Sequence, residues 1–356
     1  MNKIKRFLSL GLVVAMVCSV FVGCSSDSKY ENYSYGIEDT GYYKNFDQYT
    51  FDAVPVLEDL KISHDEVLDW AVATSIENGS ETVTDVDSYV REYATAQLYL
   101  MGLGVKEVCE AGDHVTASLS FYIDDKKLDG FDSTDSYTAE TEGDAIKTSF
   151  IGHAPNDTYD VEYTFPEDDA DYPGKKAIVK ITISSIVSKD PIAEGYVEKN
   201  IDTIAKYVDG VTDAESYLAA MRPKAAESTL GNYMKDYLTK IEGVEPPEDY
   251  VEYEYYRLRS RLNQLGYTYK GYLEEAGLTE EDIMEYCKNV ARENCIYLTI
   301  CKRYETSVTI DDIKEYYGEN YESIKEVQGH PYMKLKMFRD AALYQAMTRV
   351  KLVESK

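Results

Sequence analysis

Six cysteines and four histidines are the residues of this 356-residue chain best suited to nucleophilic or metal chemistry, and their spacing argues against both. His64, His114, His153 and His330 are scattered, with no His-Glu-x-x-His run and no paired Cys-x-x-Cys. Cys287, Cys295 and Cys301 share one expected helix, where a spacing of eight sets Cys287 and Cys295 on one face as small apolar groups. With Cys109 they read as structural thiols, so neither a metal nor a cofactor is expected. The cysteine with a chemical context is Cys24, which ends the run Phe21-Val22-Gly23-Cys24. Lys3, Lys5 and Arg6 precede an apolar stretch from Phe7 to Val22, and Ser25, Ser26 and Asp27 follow the cysteine. A basic start, about 15 apolar residues and a small residue before the cut describe a secretory signal. A spanning helix would need about 20.

The Val-Gly-Cys ending resembles a bacterial lipobox, with Phe21 where leucine is commoner. That resemblance implies cleavage after residue 23, lipidation of the Cys24 thiol and a place on the extracytoplasmic face of the cell membrane. Two acyl chains, at about 0.8 kcal/mol per methylene, suffice for stable attachment. Removing residues 1–23 takes away three positive charges, so the net charge goes from −28 to −31. Such a chain repels nucleic acid and anionic lipid, which excludes both as partners of the folded part.

The elements that must position any site follow from periodicity. Residues 24–55 are rich in Ser, Asp, Gly and Tyr without a period and read as a flexible tether. An N-terminal helical segment, 56–107, starts at a Ser63/Glu66 capping box followed by Val67, Leu68, Ala71 and Val72. A second helix after Thr84 runs through Val86, Val90, Ala94 and Leu98. From 108 to 190 the period falls to two: Val115, Ala117, Leu119, Phe121 and Ile123 alternate with polar residues, as do Tyr159, Val161, Tyr163 and Phe165. Lys126–Gly130 reads as a turn, and Ile178–Ile186 as a third strand. The fold class is α+β: a small antiparallel domain between the helical segment and a large all-α domain, 191–356. There Thr279 caps a helix with the stripe Ile283, Cys287, Ala291 and Cys301, and further helices span Thr309–Tyr317 and Met333–Val353. Residues 191–356 hold 20 of the 34 tyrosines, either as amphipathic caps on a helical core or as a wet aromatic surface for unfolded chains.

Several pieces in order carry a resemblance. Gly112-Asp113-His114-Val115, Phe131-Asp132-Ser133, Ile151-Gly152, Thr164-Phe165-Pro166-Glu167-Asp168, Gly174-Lys175-Lys176-Ala177 and Ile181-Thr182-Ile183 look like the FKBP-type domain of trigger factor. Tyr272-Leu273 through Gly277-Leu278-Thr279-Glu280-Glu281, and the closing helix from Met333, are similar to that family's helical domain. The resemblance implies a folding helper whose helical arms cradle unfolded polypeptides, with a prolyl isomerase domain attached. The family's ribosome-docking Gly-Phe-Arg loop has no counterpart here, so exported polypeptides and not the ribosome are the expected partners.

The same resemblance implies a site. FKBP-type catalysis encloses an X-Pro bond in a dry aromatic cleft and eases rotation over a barrier of about 18–20 kcal/mol, without a nucleophile. Phe131 and Asp132 match the family's Phe-Asp pair. Phe121 takes the place of a pocket aromatic, with Leu119 or Tyr122 as alternatives, and Ile146 that of the isoleucine whose backbone receives substrate. Phe150 completes the substrate-binding set. Three departures erode the pocket: the floor segment Lys147–Phe150 is about four residues short, Asp169 stands where an aromatic is common, and Val179 replaces a phenylalanine. Isomerase activity is therefore expected to be weak or absent. The rival function is a surface binding or adhesion lipoprotein that reuses the fold.

Overall fold

The computed structural model describes residues 50–354, so the signal segment, Cys24 and most of the tether lie outside the described residues. In chain order the elements begin with β1 (Lys61–Ser63), α1 (His64–Glu77), α2 (Val86–Leu100), β2 (His114–Ile123), β3 (Lys126–Lys127) and β4 (Ser133–Thr138). Then come α3 (Ala145–Ser149), β5 (Thr158–Thr164), β6 (Lys176–Val187), α4 (Tyr196–Lys199), α5 (Ile201–Ile204) and α6 (Ala214–Thr239). The last are α7 (Glu248–Gln264), α8 (Tyr269–Ala276), α9 (Glu280–Arg303), α10 (Ile310–Tyr317), α11 (Tyr321–Arg349) and β7 (Lys351–Val353). Two compact units share them: His64–Ser228, and the residues up to Ser63 together with those from Thr229 onward. The sequence divisions at 107/108 and 190/191 do not coincide with these.

Unit His64–Ser228 is built on an antiparallel sheet in the order β3-β2-β6-β5, with β4 also beside β2. Alternation sends Val115, Ala117 and Leu119 of β2 and Val179, Ile181 and Ile183 of β6 into one core with Ile146 and Phe150. The turn expected at Lys126–Gly130 falls earlier, at Asp124-Asp125, and Lys126 already pairs with Ile123. Both aspartates have positive φ, 50° and 62°, which Asp tolerates better than most residues and a two-residue hairpin requires. β4 is a strand that its own polar sequence, Ser133–Thr138, does not announce.

The turn into β2 rests on Asp113. Gly112 takes φ +89°, and a Cβ there would sit 2.7 Å from the Lys189 side chain. Asp113, only 1% exposed, accepts from Glu110 N at 2.8 Å, Lys189 N at 3.3 Å and Lys106 Nζ at 3.0 Å. Burial alone would lower the Lys106 pKa, but hydrogen bonds to Glu110 and Asp113 outweigh it and hold the ammonium well above its ordinary value. Helix α2 starts where expected, with a reciprocal cap between Asp85 and Ser88. Arg91 donates to both Asp190 oxygens at 2.8 Å, Tyr99 donates to the Ser188 carbonyl, and Tyr217 donates to the Ala94 carbonyl at 3.0 Å.

In the other unit α9 is the central helix. Thr279 and Asp282 cap it reciprocally, and Ile283, Cys287, Ala291, Cys295 and Cys301 are buried along it. Burial pushes the thiols of Cys287, Cys295 and Cys301 up to about 12 and that of Cys109 to about 11, so all four stay protonated and inert at neutral pH. Thr309 caps α10 in the same way. The closing helix is longer at its start and shorter at its end than its periodicity indicates. It begins at Tyr321, breaks at Gly329 (φ 75°, ψ 157°) and stops at Arg349. Residues 351–353 instead form β7, parallel to β1, with Ile62 opposite Leu352. Glu58 secures this closure: it accepts from Arg349 at 2.7 Å and from the Tyr304 hydroxyl at 2.5 Å. The tether does not run free to residue 55, since Val54 is buried and its N–H closes a turn on Phe51.

Candidate functional site

Phe121, Phe131, Tyr163, Phe165 and Tyr172 come together at one end of the sheet, over Leu128 and Ala177. Phe121 is an inward position of β2, and Tyr163 and Phe165 come from β5 and its exit. Phe131 arrives by a bulge. Between the pairs Tyr122–Lys127 and Leu119–Ser133 lie two residues of β2 but five on the partner side, 128–132. The excess bends that side and turns Phe131 over the sheet. Tyr172 arrives through Asp169, whose Oδ1 accepts from the Asp171 and Tyr172 N–H groups at 3.0 and 2.8 Å.

Ring centroids lie 6.1 Å apart for Phe121–Phe131, 5.7 Å for Phe121–Tyr163, 5.9 Å for Phe131–Phe165 and 5.5 Å for Phe131–Tyr172. These four pairs are edge-to-face, at 60–88°. That is contact distance for aromatic pairs, each worth about 0.5–1.5 kcal/mol beyond area burial. The rings pack against one another, with Phe165 buried and Phe121, Phe131, Tyr163 and Tyr172 partly buried. Burial, helped by Asp144 and Asp169, raises the Tyr163 phenol above its ordinary value.

The other expected site residues lie elsewhere. Asp132 follows Phe131 but points to the opposite face, where it accepts from Ser120 Oγ and pairs with Lys127, both at 2.7 Å. The Lys127 hydrogen bond, with that of Ser120, holds its carboxyl below the usual range. Asp132 thus pins the bulge and does not touch the rings' side of the sheet. Tyr122 alternates with Phe121 and belongs to that same outer face. Ile146 and Phe150 sit in the neighbouring core, which only Phe121 and Tyr163 share with the ring cluster, and Phe150 has no exposed surface. Val179 is fully buried in that core too, opposite Phe121 and Val161. Sequence reasoning missed Tyr172 and treated Asp169 as a lost aromatic. Asp169 instead builds the turn that brings an aromatic back, and the signal was Tyr172-Pro173-Gly174 closing a loop onto β6.

Most tyrosines of the helical half are engaged within the chain. Tyr255 and Tyr269 both donate to Glu280, at 2.7 and 2.8 Å, while the Arg259 guanidinium lies 4.4 Å from the Tyr269 ring centre. Arg349 stacks on Tyr304 at 4.1 Å in the same manner. Among the described residues from 191 onward, only Tyr207, Tyr267, Tyr316 and Tyr344 are exposed. Among the described residues, no cluster of His, Cys, Asp or Glu could hold a metal ion. No described helix is long and apolar enough to cross a membrane.

No family model matches the chain. Curated proteins named trigger factor do. That of Caldicellulosiruptor bescii is 22% identical over 225 residues, 59% of this chain and 51% of its own length. That of Leuconostoc citreum is 24% identical over 235 residues, 61% and 53%. That of Streptococcus suis is 25% identical over 269 residues, 72% and 60%. A solved structure concerned with promiscuous substrate recognition by the trigger factor chaperone is 15% identical and covers 84% of this chain and 72% of that one, at a TM-score of 0.36. The chain spans about half the length of the first curated relatives it matches. In sequence the chain is thus similar to proteins of the trigger factor family.

Proposed function

We propose that this protein is a membrane-anchored folding factor that holds exported polypeptides on the extracytoplasmic face of the cell membrane. The relationship to trigger factors carries the chaperone part of that reading. The succession of Lys3, Lys5, Arg6, an apolar run and Val22-Gly23-Cys24 supports export and anchoring. On this reading the sheet of residues 108–190 corresponds to the FKBP-type domain, and the ribosome is not a partner.

The ring cluster favours holding over isomerisation. A cleft that desolvates an X-Pro bond must be open to receive it, and these rings pack on each other at 5.3–6.1 Å. Turnover of a prolyl tetrapeptide in a protease-coupled assay is expected to stay within a few-fold of the uncatalysed rate. Rates typical of intact FKBP-type enzymes would mean that the cluster opens readily.

The full chain should slow aggregation of a denatured model protein at near-stoichiometric ratio. Should it neither suppress aggregation nor bind any unfolded chain, an adhesion or binding role takes precedence. Cys24→Ser is expected to leave the protein uncleaved or released, without lipid. Retention of that variant in washed membranes, with no lipid on the native protein by mass spectrometry, would remove the anchor from the proposal.

A further inference from the structure

Strand β5 is an edge of the sheet in unit His64–Ser228, since the order β3-β2-β6-β5 ends on it. It pairs on one side only, from Thr158 opposite Thr182 to Thr164 opposite Lys176 on β6. Phe165 N donates to the Lys175 carbonyl and Ile183 N to that of Asp157, so the odd-numbered residues turn their backbone groups toward β6. The N–H and C=O groups of Thr158, Asp160, Glu162 and Thr164 therefore point out of the sheet, and among the described residues nothing bonds to them. Donors and acceptors repeating every second residue are the template that an added strand needs.

The side chains along this edge say what would be added. On the core side β5 carries Tyr159, Val161 and Tyr163, partly buried, so a new strand gains apolar burial beside them. The sheet's other long edge, β4, has only Ser133, Asp135 and Tyr137 on that side. On the solvent side β5 carries Asp160 and Glu162, both exposed. Side chains directly opposite on paired strands lie about 4.5–5.5 Å apart, so these carboxylates select the sign of what pairs with them. A second copy is disfavoured, because antiparallel self-pairing centred on Val161 sets Asp160 opposite Glu162. Across β6, Asp160 already lies opposite Lys180, whereas Glu162 lies opposite Ile178, which leaves Glu162 the stronger selector.

We propose that β5 takes up an extended stretch of an unfolded polypeptide as an added antiparallel strand, one whose residues alternate between basic and apolar. Its basic side chains lie opposite Asp160 and Glu162, in the pairs whose backbones bond, and its apolar ones lie opposite Val161 and its neighbours. The inference rests on the folding-factor reading and adds a site and a mode of capture to it. Backbone bonds supply a sequence-independent part of the affinity, and the alternation supplies the preference.

The test uses the full chain and a fluorescently labelled, end-blocked heptapeptide, Thr-Val-Lys-Val-Lys-Val-Thr, with versions carrying Gln or Glu in place of both lysines. Anisotropy at low salt should show the lysine peptide binding about five-fold more tightly than the glutamine one, as two opposite-charge cross-strand pairs provide. The glutamate peptide should bind weakest. N-methylation of the first lysine, whose N–H points at β5, should abolish binding, while N-methylation of the central valine, whose N–H points away, should leave most of it. Glu162→Gln should reduce the lysine peptide's advantage more than Asp160→Asn does; both side chains are exposed, so these variants leave the core untouched. Equal binding of the three peptides, or binding that ignores which N–H is methylated, would overturn the proposal. So would a dimer in sedimentation velocity that Glu162→Pro splits, which would give the edge to a second copy. Aggregation suppression measured on the same preparations separates the failures. If it persists while no peptide binds as a strand, only the edge is wrong; if it and peptide binding are both absent, the folding-factor reading fails too.

Discussion

Asp113→Ala is expected to lower the stability of unit His64–Ser228 by about 3 kcal/mol, the lower end of what removing one partner of a buried ion pair costs. The carboxylate is 1% exposed, and its loss strands the N–H of Glu110 and leaves Lys106, 11% exposed, with only Glu110 and Glu194 nearby. Asp113→Asn keeps an acceptor and should lose about half as much. The Lys106 pKa is raised on folding, so its contribution is complete below the ordinary lysine value of 10.5 and disappears as pH climbs through the folded value. The wild-type protein should therefore lose stability above about pH 10.5, and the Asp113→Ala protein should lose less there. Urea unfolding followed by the sheet's circular dichroism reads both effects. A cost under about 1 kcal/mol would show that Asp113 is not the anchor of this turn.

Phe165→Ala should cost about 3 kcal/mol or more, because Phe165 is the most buried ring of the cluster and contacts Phe121, Phe131, Tyr163 and Tyr172. The same substitution removes the ring at the centre, so it also tests whether the cluster is a small core or a substrate cleft. In a small core, thermal unfolding moves down while prolyl isomerase turnover stays at the wild-type level. A cleft would give the opposite: a fall in turnover of ten-fold or more with little change in unfolding.

The core strands were readable because their inward residues alternate without interruption: Val115, Ala117 and Leu119, then Val179, Ile181 and Ile183. Ser133–Thr138 was not, because β4 owes its existence to pairing with β2 rather than to its own apolar residues. The hairpin was misplaced because Lys126–Gly130 looks more like a turn than Asp124-Asp125, yet two consecutive aspartates in the left-handed region close the tighter loop. At the candidate site Phe121 and Phe131 were legible from the order of motifs. Which face Asp132 takes was not, because a bulge resets the alternation that a sequence reading assumes. Tyr172 was hidden for a similar reason, since its position depends on one Asp169 hydrogen-bond turn and on no period at all.

The pairing of β1 with β7 has a consequence for the order of assembly. Unit His64–Ser228 is continuous in the chain and contains every partner it needs soon after residue 228 emerges. The other unit is split around it, and its outer strand pair joins residues separated by almost the whole described chain. Closing so long a loop before any reward is gained makes such contacts slow to form. During synthesis from the N-terminus the first unit can thus be complete while β1 still waits for the residues after Arg349. The helical unit is finished only when synthesis has delivered residue 353.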